Sequence, residues 1–257
     1  MRVLSWNVAA RRRAQLQAGA IAAVAPDVVV LQEVTASLWR ELGPMLACEG
    51  LAHALCGPEA MASGEPLALT RWVVVASRWP LSPCEPASVP AREVVVCATV
   101  DGPAGAFSLA GVHIPTIGRG MPLKLGTQEG LYAWLAARGG SPLVVAGDFN
   151  SPKAEAPDGT VTPFMSRRNE RSYAAEDALM AGMPAVGLHD AFRSANGYAL
   201  TESSWYWKNR GRTGGYRLDH IFASPNFRPV ASRYLHDTRE SGLSDHSALV
   251  AEFEYGP

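Results

Sequence analysis

The chain has 257 residues, of which 47% are hydrophobic and only 18% charged. That balance excludes a disordered polymer and supplies ample material for a core. The formal net charge is −1, so any binding to a polyanion has to come from a local patch rather than from the whole molecule.

Val3 to Val8 reads as a strand. Leu16, Ala20, Ile21 and Val24 share one helical face, and Pro26 closes that helix. Val28 to Leu31 is an unbroken apolar run, as expected of a strand covered on both faces. A helix follows from about Ser37 to Leu46. Trp72 to Ser77, Glu93 to Val100 and Phe107 to Val112 read as strands separated by Pro- and Gly-rich turns. Leu123 to Ala137 reads as a helix and Leu143 to Ala146 as a buried strand. Ser151 to Thr162 has the composition of a loop. A helix from Ala174 to Met183 precedes the segment Leu188 to Arg193. Strands at Leu218 to Ala223, Val230 to Leu235 and Ala248 to Glu254 complete the alternation. No repeat or linker interrupts it, which predicts one α/β domain over residues 1–257.

Cys48, Cys56, Cys84 and Cys97 form no C-x-x-C pair. They read as small buried hydrophobes, with a Cys48–Cys56 bridge as the alternative. No leader-like segment precedes the first strand, and no apolar run reaches the ~18 residues of a membrane helix. A cytoplasmic protein is expected, with no obligate protein partner evident.

Five short polar motifs lie at the ends of apolar runs. They are Ser5-Trp6-Asn7, Leu31-Gln32-Glu33, Gly147-Asp148-Phe149-Asn150, Arg217-Leu218-Asp219-His220 and Ser244-Asp245-His246. Taken singly, each has a plain explanation. Glu33 suits a helix N-terminus, and the Asx residues suit turns. As a set they present acids at strand ends, where they would repel one another. A divalent cation and a phosphate ester resolve that conflict, since hard oxygen ligands suit Mg²⁺ or Mn²⁺. The set therefore predicts one metal-dependent phosphoryl-transfer site assembled from distant segments.

In this order and at this spacing, from Arg2 to Phe253, the motifs resemble the endonuclease/exonuclease/phosphatase superfamily. That superfamily includes exonuclease III, the AP endonucleases, DNase I, neutral sphingomyelinases and inositol-polyphosphate phosphatases. The resemblance implies a four-layered α/β sandwich, two mixed β-sheets packed face to face with helices outside. It implies Glu33 as principal metal ligand, with Asn7 and Asp245 assisting. Asp148 then activates water, Asn150 and His113 bond the phosphate, and Asp219 pairs with His246. The chain departs from exonuclease III and the AP endonucleases at His113, where those enzymes carry Tyr and the DNase-like and phosphatase-like members carry His. Abasic-site specificity is therefore not implied.

A run from Ser203 to Arg217 mixes aromatic and basic residues without an acid. Lys208, Arg210 and Arg212 suit phosphates and Trp207 suits stacking. Arg11, beside the first motif, suits a backbone contact. On composition alone the run reads equally as an aromatic loop packed on the core. DNA is the first substrate expected. The alternatives are a small-molecule or lipid phosphodiesterase or phosphatase of the same superfamily, and a non-catalytic nucleic-acid-binding module. The last is disfavoured, because carboxylates weaken binding to a polyanion.

Overall fold

The structure, a computed structural model, describes residues 1–59, 67–138 and 140–256. It begins with β1 (Arg2–Asn7), α1 (Ala14–Val24), β2 (Val28–Val34), α2 (Ala36–Cys48), β3 (His53–Cys56) and β4 (Trp72–Ser77). Next come β5 (Leu81–Pro83), β6 (Val95–Gly102), β7 (Gly105–His113), α3 (Met121–Ala136) and β8 (Leu143–Asp148). The middle holds β9 (Ala154–Glu155), β10 (Val161–Thr162), α4 (Glu170–Met180), β11 (His189–Asp190) and α5 (Ala191–Asn196). The chain closes with β12 (Trp205–Asn209), β13 (Arg212–Tyr216), β14 (Asp219–Ala223), β15 (Phe227–Leu235), α6 (Asp237–Glu240) and β16 (Ala248–Tyr255).

Two six-stranded sheets result, ordered β15-β16-β1-β2-β4-β3 and β11-β14-β8-β7-β6-β5. Each is mixed: β1 runs parallel to β2 and β7 parallel to β8, while the other neighbours are antiparallel. Side chains alternate between the faces of a strand. Val28 and Val30 thus meet Val96, Leu109, Val144 and Ile221 of the other sheet. Val29 and Leu31 turn outward to Ile21 of α1 and to Leu38 and Leu42 of α2. On the far side Val145 and Ala110 meet Leu131 and Leu135 of α3 and Leu179 of α4. Helices, sheet, sheet and helices make four layers, as the resemblance implies. Fully burying each such Val or Leu contributes about 1.5–3 kcal/mol, so both faces of both sheets stabilise the stack.

Gly111 of β7 faces the other sheet without a side chain of its own. A Cβ there would stand 2.9 Å from methyls of Val30, Val73 and Val75.

The elements differ from the sequence reading in their edges. β3 and β5 are short edge strands without a strong apolar pattern. The expected loop from Ser151 to Thr162 contains the small β9–β10 arm. α4 starts earlier, at Glu170, because the Asn169 side chain caps the Ser172 amide. The aromatic-basic run is a two-stranded hairpin, β12–β13. No helix among the described residues is long and apolar enough to cross a membrane. All four cysteines are free, so Cys48 and Cys56 are not bridged.

Candidate active site

Topology brings the motifs to one edge. β1, β2, β7 and β8 deliver their C-terminal ends there, while β14 and β16 start there because they run the opposite way. Parallel pairing sets His113 beside Asp148, and antiparallel pairing sets Asp219 on the other side of Asp148. Gly147 permits the tight fit, since a Cβ at that residue would lie 1.9 Å from the Val112 carbonyl oxygen.

Asp148 is buried at the centre. Its Oδ2 accepts from Asn7 Nδ2 at 2.9 Å and its Oδ1 from the Asn150 amide at 2.8 Å. Asn7 Oδ1 accepts the Ala9 amide, which turns the Asn7 NH₂ toward Asp148. Asn150, at φ +47°, bonds the Ile114 carbonyl through Nδ2 at 2.8 Å. Lys124 Nζ donates to the Asn150 carbonyl at 3.0 Å. His113 Nε2 stands 3.8 Å from Asp148 Oδ2 and 3.9 Å from Glu33 Oε1.

Glu33 reaches the cleft through a local irregularity. The β2–β4 register shifts between Leu31 and Val34, and Glu33 adopts φ +57°. Such a bulge re-aims a side chain. Arg71, just ahead of β4, donates to Glu33 Oε2.

His246 Nδ1 lies 2.8 Å from Asp219 Oδ2, and its Nε2 lies 3.9 Å from Asp148 Oδ2. Burial works against a charged imidazole, but Asp219 and Asp148 outweigh it and hold His246 up at about 10. Burial and the charge of Asp219 push Asp148 upward, while His246 and His113 pull it back. Both carboxylates thus favour the protonated ring, whose Nδ1 pairs with Asp219 and whose Nε2 faces Asp148. Asp245 is exposed, and its Oδ2 accepts from Trp205 Nε1 at 3.3 Å.

These groups line a cleft of about 440 Å³. Glu33, Asp148, Asn150, Asp245 and His246 form its polar side, and Phe164, Trp205, Tyr216 and Leu218 form an apolar wall. Trp205 stacks on Tyr216 at 6.2 Å between ring centroids, and Phe164 meets Tyr216 edge-on at 4.9 Å.

Asp148, Asp219 and His246 bring ligand-type atoms within 4.8 Å of one another, and the bond to Asp219 engages His246 Nδ1, which leaves the carboxylates as the donors to a metal. Asp219 Oδ1 is buried without a hydrogen-bond partner among the described residues. Glu33 and Asp245 add carboxylates at the cleft. Hard oxygen donors of this kind fit a divalent cation.

The substrate residues are placed differently. Lys208, Arg210 and Arg212 are exposed on the hairpin, and Arg11 is exposed in the turn after β1. None of the four lines the cleft. Trp207 packs across Gly214 and toward Tyr216. Arg217 is not a surface cation at all. It is buried, bonding both oxygens of Glu155 at 2.6 Å and Asp190 Oδ2 at 2.7 Å. Arg193 joins at Glu155, and His220 spans Asp190 and the Ser151 carbonyl. Burial alone would raise Glu155, yet the bonds and charge of Arg217 hold it at about 2. This network fastens the β9 arm beneath the site. Glu155, Arg71 and the Phe164 wall carry no motif and were not singled out in the sequence.

The described geometry agrees with known folds. Residues 4–246 match the Endonuclease/Exonuclease/phosphatase family. An endonuclease/exonuclease/phosphatase from Beutenbergia cavernae superposes with a TM-score of 0.70 at 22% identity, covering 100% of this chain and 72% of that one. An AP endonuclease from Archaeoglobus fulgidus gives 0.71 at 20% identity, covering 99% of each chain. The 3′ phosphatase NExo from Neisseria, bound to a product DNA hairpin, gives 0.67 at 21% identity, covering 99% of this chain and 100% of its own. No curated protein matches the sequence. With the family match running over almost its whole length, the chain belongs to the endonuclease/exonuclease/phosphatase family and is a hydrolase acting on phosphoric esters.

Proposed function

We propose that this hydrolase is a divalent-metal-dependent phosphodiesterase acting on DNA. The observation that carries the reading is Asp148, oriented by Asn7 and Asn150 and faced at 3.9 Å by His246, whose other ring nitrogen is paired with Asp219. Asp148 aligns a water and accepts its proton during in-line attack on phosphorus. His246 meets the negative charge that develops on the phosphoryl oxygens, and Asp219 holds the ring in place. Asn150 and His113 donate to nonbridging oxygens. Glu33 and Asp245 would hold Mg²⁺ or Mn²⁺, with Asn7 acting on the centre through Asp148. The cation supplies positive charge against the phosphate and the leaving oxygen.

Residues 1–257 work as one domain in this reading, because motifs from both ends of the chain build one cleft. Four free thiols support a reducing, cytoplasmic setting. No obligate protein partner is needed to complete the cleft.

Turnover of plasmid DNA, abasic duplex, sphingomyelin and inositol phosphates, with Mg²⁺ or with EDTA, tests the proposal. EDTA is expected to abolish hydrolysis and added Mg²⁺ or Mn²⁺ to restore it. Glu33→Ala should lower kcat at least ~10²-fold. Full activity in EDTA rules the proposal out.

DNA is favoured by the exposed cations Lys208, Arg210 and Arg212 on a hairpin whose Trp205 and Tyr216 wall the cleft. Replacing the three cations with Ala should weaken binding to DNA of any sequence. The slope of log K against log salt should become shallower by about 0.9 per lost phosphate contact. Hydrolysis of a small aryl phosphodiester should stay unchanged. A second reading, a small-molecule phosphodiesterase, is favoured by the position of those cations outside the cleft. An unchanged salt slope would select it.

A further inference from the structure

Arg71 has no place in the reaction described so far, yet it is bonded to the carboxylate on which that reaction depends. The pairing of Val34 with Trp72 sets Arg71 across from the bulge that carries Glu33. Its guanidinium donates to Glu33 Oε2, and among the described residues Glu33 is its one hydrogen-bond partner. The remaining oxygen, Oε1, faces His113 Nε2 at 3.9 Å. A cation approaching Glu33 therefore finds one oxygen taken and a positive charge beside it.

The arrangement is not a fixed structural clamp. The Arg71 side chain is 41% exposed and that of Glu33 20%. An ion pair this open is weak, and its partners can exchange. Arg71 also lines a small recess beside the cleft with Thr70, Thr116 and Arg119.

Charge around the cleft points the same way. Glu33, Asp148, Asp219 and Asp245 outnumber the neighbouring basic groups Arg71, Lys124 and His246. Removing Arg71 leaves the acids with one more uncompensated negative charge, close to the position that has to receive a cation.

We propose that Arg71 is a built-in counter-cation of the metal centre, pairing with Glu33 when no metal is bound and setting how tightly a divalent cation can displace it. The proposal rests on the reading that Glu33 holds the cation. In this role Arg71 is a positioning residue. It offsets part of the negative charge of the metal-free cleft and raises the cation concentration at which the site fills.

The test is a Mn²⁺ titration of the whole protein, following free Mn²⁺ by electron paramagnetic resonance, for wild type, R71Q, R71K and E33Q. R71Q is expected to bind Mn²⁺ roughly 5- to 10-fold more tightly, as the loss of one competing ion pair and one repelling charge implies. R71K keeps the charge on a compact, more strongly hydrated ammonium that pairs less readily with Glu33, so it should fall between wild type and R71Q. Thermal unfolding gives a second readout: Mn²⁺ should raise the melting temperature of R71Q by more than that of wild type. Equal or weaker Mn²⁺ binding by R71Q and R71K overturns the proposal while leaving Glu33 as a ligand. Mn²⁺ binding by E33Q equal to wild type shows instead that Glu33 is not a ligand, and the role of Arg71 falls with it.

Discussion

Asp219→Asn is expected to lower kcat by ~10³- to 10⁴-fold with little change in fold. Asp219 Oδ2 accepts from His246 Nδ1 at 2.8 Å, and both groups are buried. The carboxylate fixes the ring and, with Asp148, holds it up at about 10 despite burial. An amide of the same shape removes the charge and offers an N–H where an acceptor is required, so the ring turns or takes the wrong tautomer. The pH profile carries the sign. In wild type the imidazolium persists below about 10 and is lost as pH rises through that value. In the variant it should be lost nearer the ordinary histidine value of ~6.5, so activity falls as pH rises through neutrality. His246→Ala alone should cost a similar amount, and the double variant little more than either single one. Losses that add fully would show that the two residues do not act as a unit.

Arg217→Met should cost about 3–5 kcal/mol of stability, because it leaves Glu155 and Asp190 buried beside a missing partner. For a chain of this length that corresponds to a fall in Tm of about 10 °C. The pH dependence separates this cause from a packing defect. Glu155 is held at about 2 and Asp190 is also held below the usual carboxylate range, against burial and chiefly by Arg217. Depressed carboxylates stabilise the fold above their unfolded values and lose that contribution as pH falls through the folded ones. The difference between wild type and Arg217→Met should therefore be full at pH 7 and shrink between pH ~4.5 and ~2. Unfolding measured across that range with a constant difference would assign the loss to shape rather than charge.

The sequence carried the architecture because it repeats the same physical signal. Val28 to Leu31 and Leu143 to Ala146 are apolar at every position, and both lie in the middle of a sheet covered on two faces. The polar residues at the strand ends were equally legible, and the structure brings Asn7, Glu33, His113, Asp148, Asn150, Asp219, Asp245 and His246 to one edge. The hairpin has a local signal within the aromatic-basic run. Arg210 and Gly211 both have positive φ in a two-residue turn, and a glycine at the second position suits that turn. The burial of Arg217 is not legible in the run that it ends, because composition does not report burial and its partners Glu155 and Asp190 lie far from it in the sequence. Arg71 stood as a single charge before an apolar strand, and only the bulge at Glu33 gives it meaning.

The two halves of the His–Asp pair belong to different sheets. Asp219 opens β14 in one, and His246 precedes β16 in the other. Their 2.8 Å contact therefore works as a vernier on how the two sheets are stacked. A slide of one sheet over the other by about 1 Å would leave every strand intact and still misalign the reacting groups, at a cost of ~10²-fold in rate. Close packing at Gly111, where the methyls of Val30, Val73 and Val75 leave no room for a Cβ, is then as much a condition of chemistry as of stability. Turnover should register a loosened interior well before any spectroscopic measure of secondary structure does.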